Sequence, residues 1–574
     1  MERRVLIAVL LSFLVLYGYQ ALFAPPPEPK PAQTSKTATA PKESGPTQSN
    51  PAGSVQGVQA PAAGEPSAPA QEVEIDNADV HAVFTSRGAV LKSWKLKKYR
   101  DDHGQPLEMI AGHAPADSPL PFTLGVDDPA LAVKIAAAPF TLTSANTPAA
   151  AGRWQAQFDY ADDAAGLRVQ KIFSIAPDKP YVINVTATVT QNDKPVGATL
   201  GWGPALGSGV TAKSRTYNPP PQPIYFRDGK VSRIAPDKVA SQPVVEGVVG
   251  FAGVDDHYFL VAAVKPNQPI RVEYSTVDVP LDGHPEGAHY VSWAVRYASP
   301  PQGIAYFAGP KDFDVLVAAD RDLVRAIDFG MFAWLVVPLL RSLKWLNAYV
   351  GNYGWSLILL TVLINLAMFP LRHKSVVSMR KMQEIQPEVK AIQDRYAKLK
   401  MSDPARGKMN TELMALYKER GVNPATGCVP MLLTLPVLFA FYSMLSVAIE
   451  LRGAPFIGQI HDLSAHDPWF IWPVAMGITM FIQQRMTPST ADPMQQKMMM
   501  FMPIMMTGMF LWAASGLVIY WTVSNVWGIG QQMITNRLIG PAAKRTVRPP
   551  AERRVKNVGG GKTEQAAKDE KERE

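Results

Sequence analysis

The sequence predicts a polytopic α-helical membrane protein of six transmembrane helices, five of them in a C-terminal core, with a β-sandwich domain exported to the periplasm or an equivalent outer compartment. Three observations lead there. Stretches such as 355–371 and 430–449 contain no Asp, Glu, Lys or Arg, and runs of that length are what a helix needs to cross the hydrocarbon layer. Residues 73–318 read instead as short β-rich runs broken by turn residues. Lys and Arg gather in the loops that this arrangement leaves in the cytoplasm.

Averages conceal the division. The chain has 574 residues, 47% of them hydrophobic, and a net charge of +8. Its basic residues flank hydrophobic spans and are not set around an aromatic RNA platform, so a lipid bilayer surface or a ribosome is the expected partner, with no specific nucleic-acid recognition. Cys428 is the only cysteine, which excludes an intrachain disulfide and a cysteine-rich metal site.

Glu2, Arg3 and Arg4 precede a hydrophobic run over 5–23, the layout of a signal peptide or signal anchor. The one small-residue cleavage position ends at Ala24, with the large Leu22 at −3 and Pro25 directly after the cut. An uncleaved anchor over 1–24, its N-terminus in the cytoplasm, is therefore expected. Residues 25–72 are mainly Pro, Ala, Gly, Ser and Thr, cannot bury a core, and read as a disordered tether.

Within the β domain, 73–318, the clearest strands are 80–84, 89–96, 181–190 and 257–264. Val182, Asn184, Thr186 and Thr188 alternate with Ile183, Val185, Ala187 and Val189, the period of a strand with one buried face. The domain has the size of one large sandwich. Segment 319–350 holds an apolar block, 329–340, too short to span comfortably, followed by Arg341 and Lys344. An interfacial amphipathic helix on the outer leaflet is expected there, with both cations reaching headgroups.

Five further hydrophobic segments lie near 352–371, 428–449, 468–484, 497–514 and 516–536, within a core of 351–538 that precedes a basic tail, 539–574. Loop charge orients them. Between 372 and 427 twelve Lys/Arg face six Asp/Glu, whereas between 450 and 470 one Arg faces three acids. The first loop is thus inside and the second outside, and an anchor starting inside plus five spans brings the C-terminus back inside. Loop 372–427 carries its own helical pattern in Ile385, Val389, Ile392, Tyr396 and Leu399, resumed in Met409, Leu413 and Leu416. Pro387 suits a first turn, Ser402 with Pro404 opens a second helix, and Gly421, Asn423 and Pro424 form a stop, which together make a helical hairpin.

Enzyme signatures such as HExxH and GxSxG do not occur in the sequence, and neither an enzyme activity nor a cofactor is expected. The string GGGKT at 559–563 has Lys556 where a phosphate-binding loop needs its first Gly, so it reads as tail. His461, Asp462, His466 and Asp467 have metal-ligand chemistry, but in a short outer loop they read as turn and capping residues, as do Asp255, Asp256 and His257 in the β domain. Eight of the 23 methionines lie between Met494 and Met509. Such unbranched, polarizable side chains suit an adaptable apolar binding face, and equally ordinary packing or lipid contact.

Polar residues inside spans are costly in lipid. Thr361 and Asn365 stand four apart on one helix face, and Tyr520 with Ser524 and Trp521 with Asn525 make two more such pairs. Either they line a wet interior or they serve as hydrogen-bonding glue between helices. A solute transporter or channel is the rival class; against it stand the lack of repeated halves and of charge within the spans.

Specific strings narrow the choice. YKERGVNPATGCVP (417–430), ELRGAPF (450–456), IHDLSAHDP (460–468), DPMQQK (492–497), Met502-Pro503 and SGLVIYWTVSN (515–525) closely resemble the YidC membrane-insertase family in content, order and spacing. The resemblance covers essentially the whole chain in the Gram-negative layout, is most specific in the core, and in the β domain is carried best by TSRG at 85–88. It implies a cell inner-membrane insertase and chaperone with a monomeric core. Such a protein inserts and helps fold nascent membrane proteins without cofactor or ATP hydrolysis, alone or beside the Sec translocon.

The resemblance also implies a hydrophilic groove open to cytoplasm and lipid. Thr361, Asn365, Tyr520, Trp521 and Ser524 would line it, while Cys428, Pro430, Met502, Met505 and Met509 would form a sliding face for the apolar segment. The hairpin would receive substrate, and the tail would contact ribosomes. Alignment through Thr361 and MFPL at 368–371 puts Asn365 where the best-known members carry Arg or Lys, so a fixed charge is missing at that position. The family's Tyr-Tyr pair reads Tyr520-Trp521.

Overall fold

The computed structural model describes residues 70–101, 103–111, 118–146, 153–206, 220–281, 284–396, 405–421, 429–486 and 493–539. The expected anchor, nearly all of the linker, Cys428, the helix start at Ser402 and Pro404, the GGGKT string and the tail beyond 539 lie outside these residues.

Alternation becomes burial along the strand Val182–Gln191, where Ile183, Val185, Ala187 and Val189 are buried and Asn184, Thr186 and Thr188 are half-buried. Among the described residues nineteen strands assemble into antiparallel sheets of four, ten and five strands. Aromatic side chains show how the sheets stack. Phe84 of the four-stranded sheet lies 5.3 Å from Trp154 and 4.8 Å from Phe173 of the ten-stranded sheet. From the five-stranded sheet, Trp202 and Trp293 reach Tyr306 of the ten-stranded sheet at 6.4 and 6.0 Å. The sandwich is therefore a single broad sheet covered by a second layer that is split in two. Strands Phe251–Asp255 and Phe259–Val264 are buried along their whole length. The 3-10 turn Arg321–Ala326 packs on the first of them, and burial on both faces is why such strands read as continuous apolar runs and not as alternating ones.

Two short helices belong to this domain. Helix α1 (Pro129–Ala137) opens on Asp128, whose carboxylate accepts from the Ala130 N–H at 2.9 Å. Helix α2 (Phe313–Ala319) is capped in the same way by Asp312.

Helix α3 (Ala333–Val350) occupies the place of the expected interfacial helix, and Gly351, at φ 71°, ends it in the left-handed conformation that glycine adopts freely. Trp334, Trp345 and Tyr349 are exposed on it. Its cations also make contacts within the chain. Lys344 turns back to Asp312, Asp314 and Glu450, and Arg341 lies over the Phe313 ring at 5.1 Å.

Helix α4 (Tyr353–Glu384) starts at Asn352, whose side chain accepts from the Gly354 and Trp355 N–H groups. It runs through Pro370 for 32 residues, so the expected boundary between span and hairpin at 371–372 falls inside a continuous helix. The remaining hairpin is α5 (Gln386–Arg395) and α6 (Ala405–Glu419), closed by Arg420–Glu388 at 2.8 Å and Arg395–Glu412 at 2.9 Å. Pro387 sits in the first turn of α5, and Gly421 follows α6 at φ 60°.

Then come α7 (Val429–Val447), α8 (Ile471–Met486), α9 (Pro493–Phe510) and α10 (Ser515–Ile539). Helix α10 packs against α8, α4 and α7, whereas α9 packs mainly on α8. At Gly477 of α8 a Cβ would stand 2.0 Å from Thr507 Oγ1, so the glycine permits the close approach of α9. Among the described residues one helix, α4, is long and apolar enough to cross a membrane by itself; Leu435–Val447 and Met498–Phe510 are shorter apolar helices.

Candidate functional site

The polar residues of α4 lie on the side that meets α10. Thr361 Oγ1 donates to Leu357 O at 2.7 Å, and Asn365 Nδ2 donates to Thr361 O at 2.8 Å. Both side chains thus satisfy themselves on the preceding turn, the usual recourse of short polar groups within a helix. Across the interface Asn365 Nδ2 lies 3.5 Å from Ser524 Oγ. Tyr520, one turn before Ser524, stacks on Phe441 of α7 at 4.3 Å with planes 12° apart. Thr361, Asn365 and Tyr520 are buried and Ser524 half-buried.

The line of polar contacts continues toward the hairpin. Arg372 Nη1 donates to Asn365 Oδ1 at 2.7 Å, Gln531 Nε2 to Phe369 O at 3.4 Å, and Arg380 Nη2 to Asn536 Oδ1 at 2.9 Å; His373 Nδ1 lies 3.2 Å from Thr535 Oγ1. Together these contacts form a seam along α4 and α10.

Trp521 is not in that seam. Adjacent helical residues point about 100° apart, and the turn of α10 that aims Tyr520 at α7 aims Trp521 at Phe510 of α9, 5.1 Å away, in a small cluster with Met476, Ala513 and Val518. Asn525 follows Trp521, donating to Met476 O and to Thr479 Oγ1 at 3.3 Å each. The two pairs four apart on α10 therefore serve different neighbours. On α9, Met502, Met505 and Met509 are exposed at 43%, 56% and 57%, so among the described residues this face is not consumed by packing. Pro430 is the second residue of α7; Cys428 lies outside the described residues.

In the outer loop Asp462 Oδ1 accepts from Ser464 N and Oγ, and Asp467 accepts from the N–H groups of Trp469 and Trp472, as capping residues do. The β-domain group departs from that expectation. Asp256 does cap a turn, accepting from Tyr258 and Phe259 N–H, and burial raises its carboxyl above the usual range. Asp255, however, is a buried counter-ion, bidentate to Arg233 and 3.0 Å from Lys311 Nζ. His257, lowered by burial, bonds through Nε2 to the Ser446 carbonyl of α7. His257 thus ties the β domain to the helix bundle.

Sequence reasoning missed two cations. Arg372 stands seven residues after Asn365, two turns along the same face; that spacing is legible, but a span ending at Leu371 assigned the residue to a loop. Lys171 occupies the inward register of strand Leu167–Ile175, between Val169 and Phe173.

A large β domain joined to a bundle of apolar helices, with a polar seam and an exposed methionine face, is the layout of a membrane protein with a globular β-rich domain. Residues 345–542 match the family model described as 60Kd inner membrane protein, and residues 72–342 match the YidC periplasmic domain. The membrane protein insertase YidC of Geobacter metallireducens is 36% identical over 556 residues, covering 94% of this chain and 99% of that protein. The insertase of Pelobacter propionicus is 36% identical over 561 residues, covering 94% and 100%. A solved structure of an active YidC insertase covers 80% of this chain and 91% of its own at 18% identity, with a TM-score of 0.32. The chain belongs to the YidC membrane protein insertase family, whose members are inner-membrane proteins with a periplasmic domain.

Proposed function

We propose that this chain inserts nascent proteins into the inner membrane and helps them fold, alone or beside the Sec translocon, and that the α4–α10 seam is its substrate groove. One observation carries the reading: Thr361, Asn365, Ser524 and Arg372 form a hydrogen-bonded line of polar groups between α4 and α10. Such groups reduce the cost of drawing a polar tail partway into the bilayer, because each donor or acceptor lost from water finds a replacement. Tyr520 would form the apolar wall of the groove on its α7 side. The substrate's apolar segment would leave along Met502, Met505 and Met509, whose flexible side chains fit many partners, with Pro430 and Cys428 at the entry to α7. Trp521 would support that exit face from behind and not line the groove.

The arrangement in the membrane is part of the same proposal. It has six spans, namely the 1–24 anchor and five in the 351–538 core. Both termini and the hairpin are cytoplasmic, the 73–318 domain is periplasmic, and α3 lies at the outer surface. The loop charges support it. The hairpin would receive substrate, the basic tail would meet ribosomes, and the core would act as a monomer without cofactor or nucleotide.

Expression of this chain in cells depleted of their own insertase is expected to restore growth and insertion. Asn365→Leu, which removes the centre of the seam, is expected to lower insertion of a polar-tailed substrate on the order of tenfold, the effect of losing one or two buried hydrogen bonds at about 1 kcal/mol each. Full rescue by Asn365→Leu would mean that the seam is packing glue.

A further inference from the structure

Where the β domain meets the end of α7, a cleft of about 180 Å³ has Gln222, Arg233, His257, Asp328 and Val447 in its walls. That is room for a few waters or for one small polar group. Part of the lining is fully paired. Asp255 takes Arg233 in a fork, Nε at 3.2 Å and Nη2 at 2.8 Å, and accepts from Lys311 Nζ at 3.0 Å. Arg233 Nη2 also donates to Ala326 O at 2.6 Å, and Lys311 Nζ to Asp256 O at 2.5 Å. These bonds fix the shape of the cleft.

Other polar groups in the walls are left over. Among the described residues no hydrogen bond reaches Arg233 Nη1 or the Gln222 side chain. His257 spends Nε2 on the Ser446 carbonyl and keeps Nδ1 free; Asp328 spends Oδ1 on the Gly330 N–H at 3.0 Å and keeps Oδ2. The cleft thus offers a cationic donor and an anionic acceptor to one occupant, and such groups gain most from a partner that matches both.

Away from the cleft the surface turns apolar. Residues 327–332 run beside α7 in step with its turns. Ile327 and Asp328 share the cleft with Val447, Phe329 O accepts from Ser443 Oγ at 2.9 Å, and Phe332 stacks on Phe439 at 6.0 Å with planes 5° apart. Val447, Ser443 and Phe439 stand four apart, on one helix face. Phe439 and Tyr442 are exposed at 50% each, and Met331 at 84%. A cleft of mixed charge that continues into an exposed apolar strip has the two halves of a phospholipid site, one for a headgroup and one for the start of an acyl chain.

We propose that this cleft binds one phospholipid with a phosphoethanolamine headgroup, its phosphate on Arg233, its primary ammonium on Asp328 and its chain along Phe332 and Phe439. An anionic headgroup without an amine would set its phosphate against the Asp328 carboxylate with no cation of its own to offset the repulsion. The proposal rests on the end of α7 lying at the outer membrane surface. A soluble phosphoethanolamine ester has the same polar chemistry, but only a lipid also uses the aromatic strip.

The test titrates the full chain, purified in detergent, with dioctanoyl phosphatidylethanolamine, dioctanoyl phosphatidylglycerol or glycerophosphoethanolamine, and counts bound molecules by native mass spectrometry. One saturable phosphatidylethanolamine site is expected, on the order of tenfold tighter than for the glycerol lipid, the equivalent of one charge-assisted contact. The chain-free headgroup should bind on the order of tenfold more weakly than the lipid, the loss of about two buried CH₂ groups. Arg233→Lys keeps a cation beside Asp255 but has no Nη1, and Asp328→Asn keeps the cap on Gly330 but loses the charge. Each should weaken phosphatidylethanolamine binding on the order of tenfold, and Asp328→Asn should also erase the preference over the glycerol lipid. Asp328 is exposed, so its variant reads the site and not the fold.

Equal affinity for the two lipids, or wild-type binding by both variants, would overturn the site. Headgroup binding as tight as lipid binding would give the cleft to a soluble phosphoester, and the lipid assignment would be wrong. Membrane placement is read separately, with a membrane-impermeant maleimide added to spheroplasts carrying Asp237→Cys, on the exposed surface of the β domain, in a Cys428→Ser background. Failure to label residue 237 from outside would remove the placement and this proposal with it. Labelling without a lipid preference would overturn the lipid site alone.

Discussion

Replacing Lys171 with Met is expected to destabilise the β domain by about 3 kcal/mol. The side chain is fully buried, and its Nζ donates to Gly88 O at 2.7 Å, Ala89 O at 3.1 Å and Phe122 O at 2.9 Å. Gly88 and Ala89 lead into the four-stranded sheet, Phe122 into the five-stranded one, and Lys171 itself belongs to the ten-stranded sheet. One ammonium therefore ties together all three pieces of the sandwich, and the TSRG string supplies one of the carbonyls it needs. Met fills the space but leaves three buried acceptors unpaired, at about 1–3 kcal/mol each. Part of that loss is offset because an ammonium no longer has to be desolvated.

Burial pushes the Lys171 ammonium down to about 7 from its ordinary 10.5. A lysine whose folded value lies below its unfolded value leaves the fold most stable above 10.5. As pH falls from 10.5 toward 7 the unfolded chain takes up the proton first, and stability declines by at most about 1.4 kcal/mol per unit, levelling off below 7. Urea unfolding of the full chain in detergent, read by hydrogen exchange in strand Leu167–Ile175, measures both effects. Lys171→Met should abolish the slope. A variant as stable as wild type, with the slope unchanged, would show that the tether does not hold the sheets.

Lys344→Met is expected to loosen the β domain from the bundle at a cost of about 3 kcal/mol, the order found when one partner of a buried charge group is removed. Lys344 Nζ stands 3.2 Å from Asp312, 2.5 Å from Asp314 and 3.3 Å from Glu450. Those carboxylates come from the α2 cap of the β domain and from the end of α7, so the lysine joins three parts of the molecule. Burial works to lower the Lys344 value, but the hydrogen bond to Asp314 and the charges of Asp312 and Glu450 raise it overall. Glu450 is raised by burial first and then by Asp312. Without the lysine, Glu450 faces the Asp312 carboxylate with no cation beside it, and the folded form favours protonating Glu450. The defect should therefore shrink as pH falls through the carboxylate range and grow toward neutrality. Limited proteolysis of the 311–332 connection at pH 5 and pH 8 reads this; equal cutting of variant and wild type at pH 8 would contradict it.

Where a single periodicity dominated, the sequence was legible. Strand 182–191 alternates because one face is in the core, and the apolar stretches became helices because nothing in them competes with helical hydrogen bonding. The end of the charge-free stretch at Leu371 marks where basic residues resume and not where the helix stops, since α4 carries Pro370 within a continuous helix. Burial of Lys171 was written in its inward register, but a lysine at an inward position is ordinarily discounted. What it needs, three backbone carbonyls from residues 88, 89 and 122, comes together only in the tertiary fold. The seam was half visible for a similar reason. Residues 361 and 365 share a face by helical arithmetic, whereas the partner choices of Tyr520 and Trp521 depend on which neighbour α10 meets on each side, and that is set by packing across α4, α7, α8 and α9.

The central claim is that polar tails travel along the α4–α10 seam while apolar segments leave past α9. Photocrosslinking residues at Ser524, at Met505 and, as a control, at Val133 of α1, combined with ribosome-bound nascent membrane proteins arrested at successive lengths, test it most directly. The tail is expected to be captured from Ser524 and the apolar segment from Met505, in that order with growing length, with nothing captured from Val133. Capture of lipid alone at Ser524, or equal capture of the nascent chain at all three positions, would contradict the account.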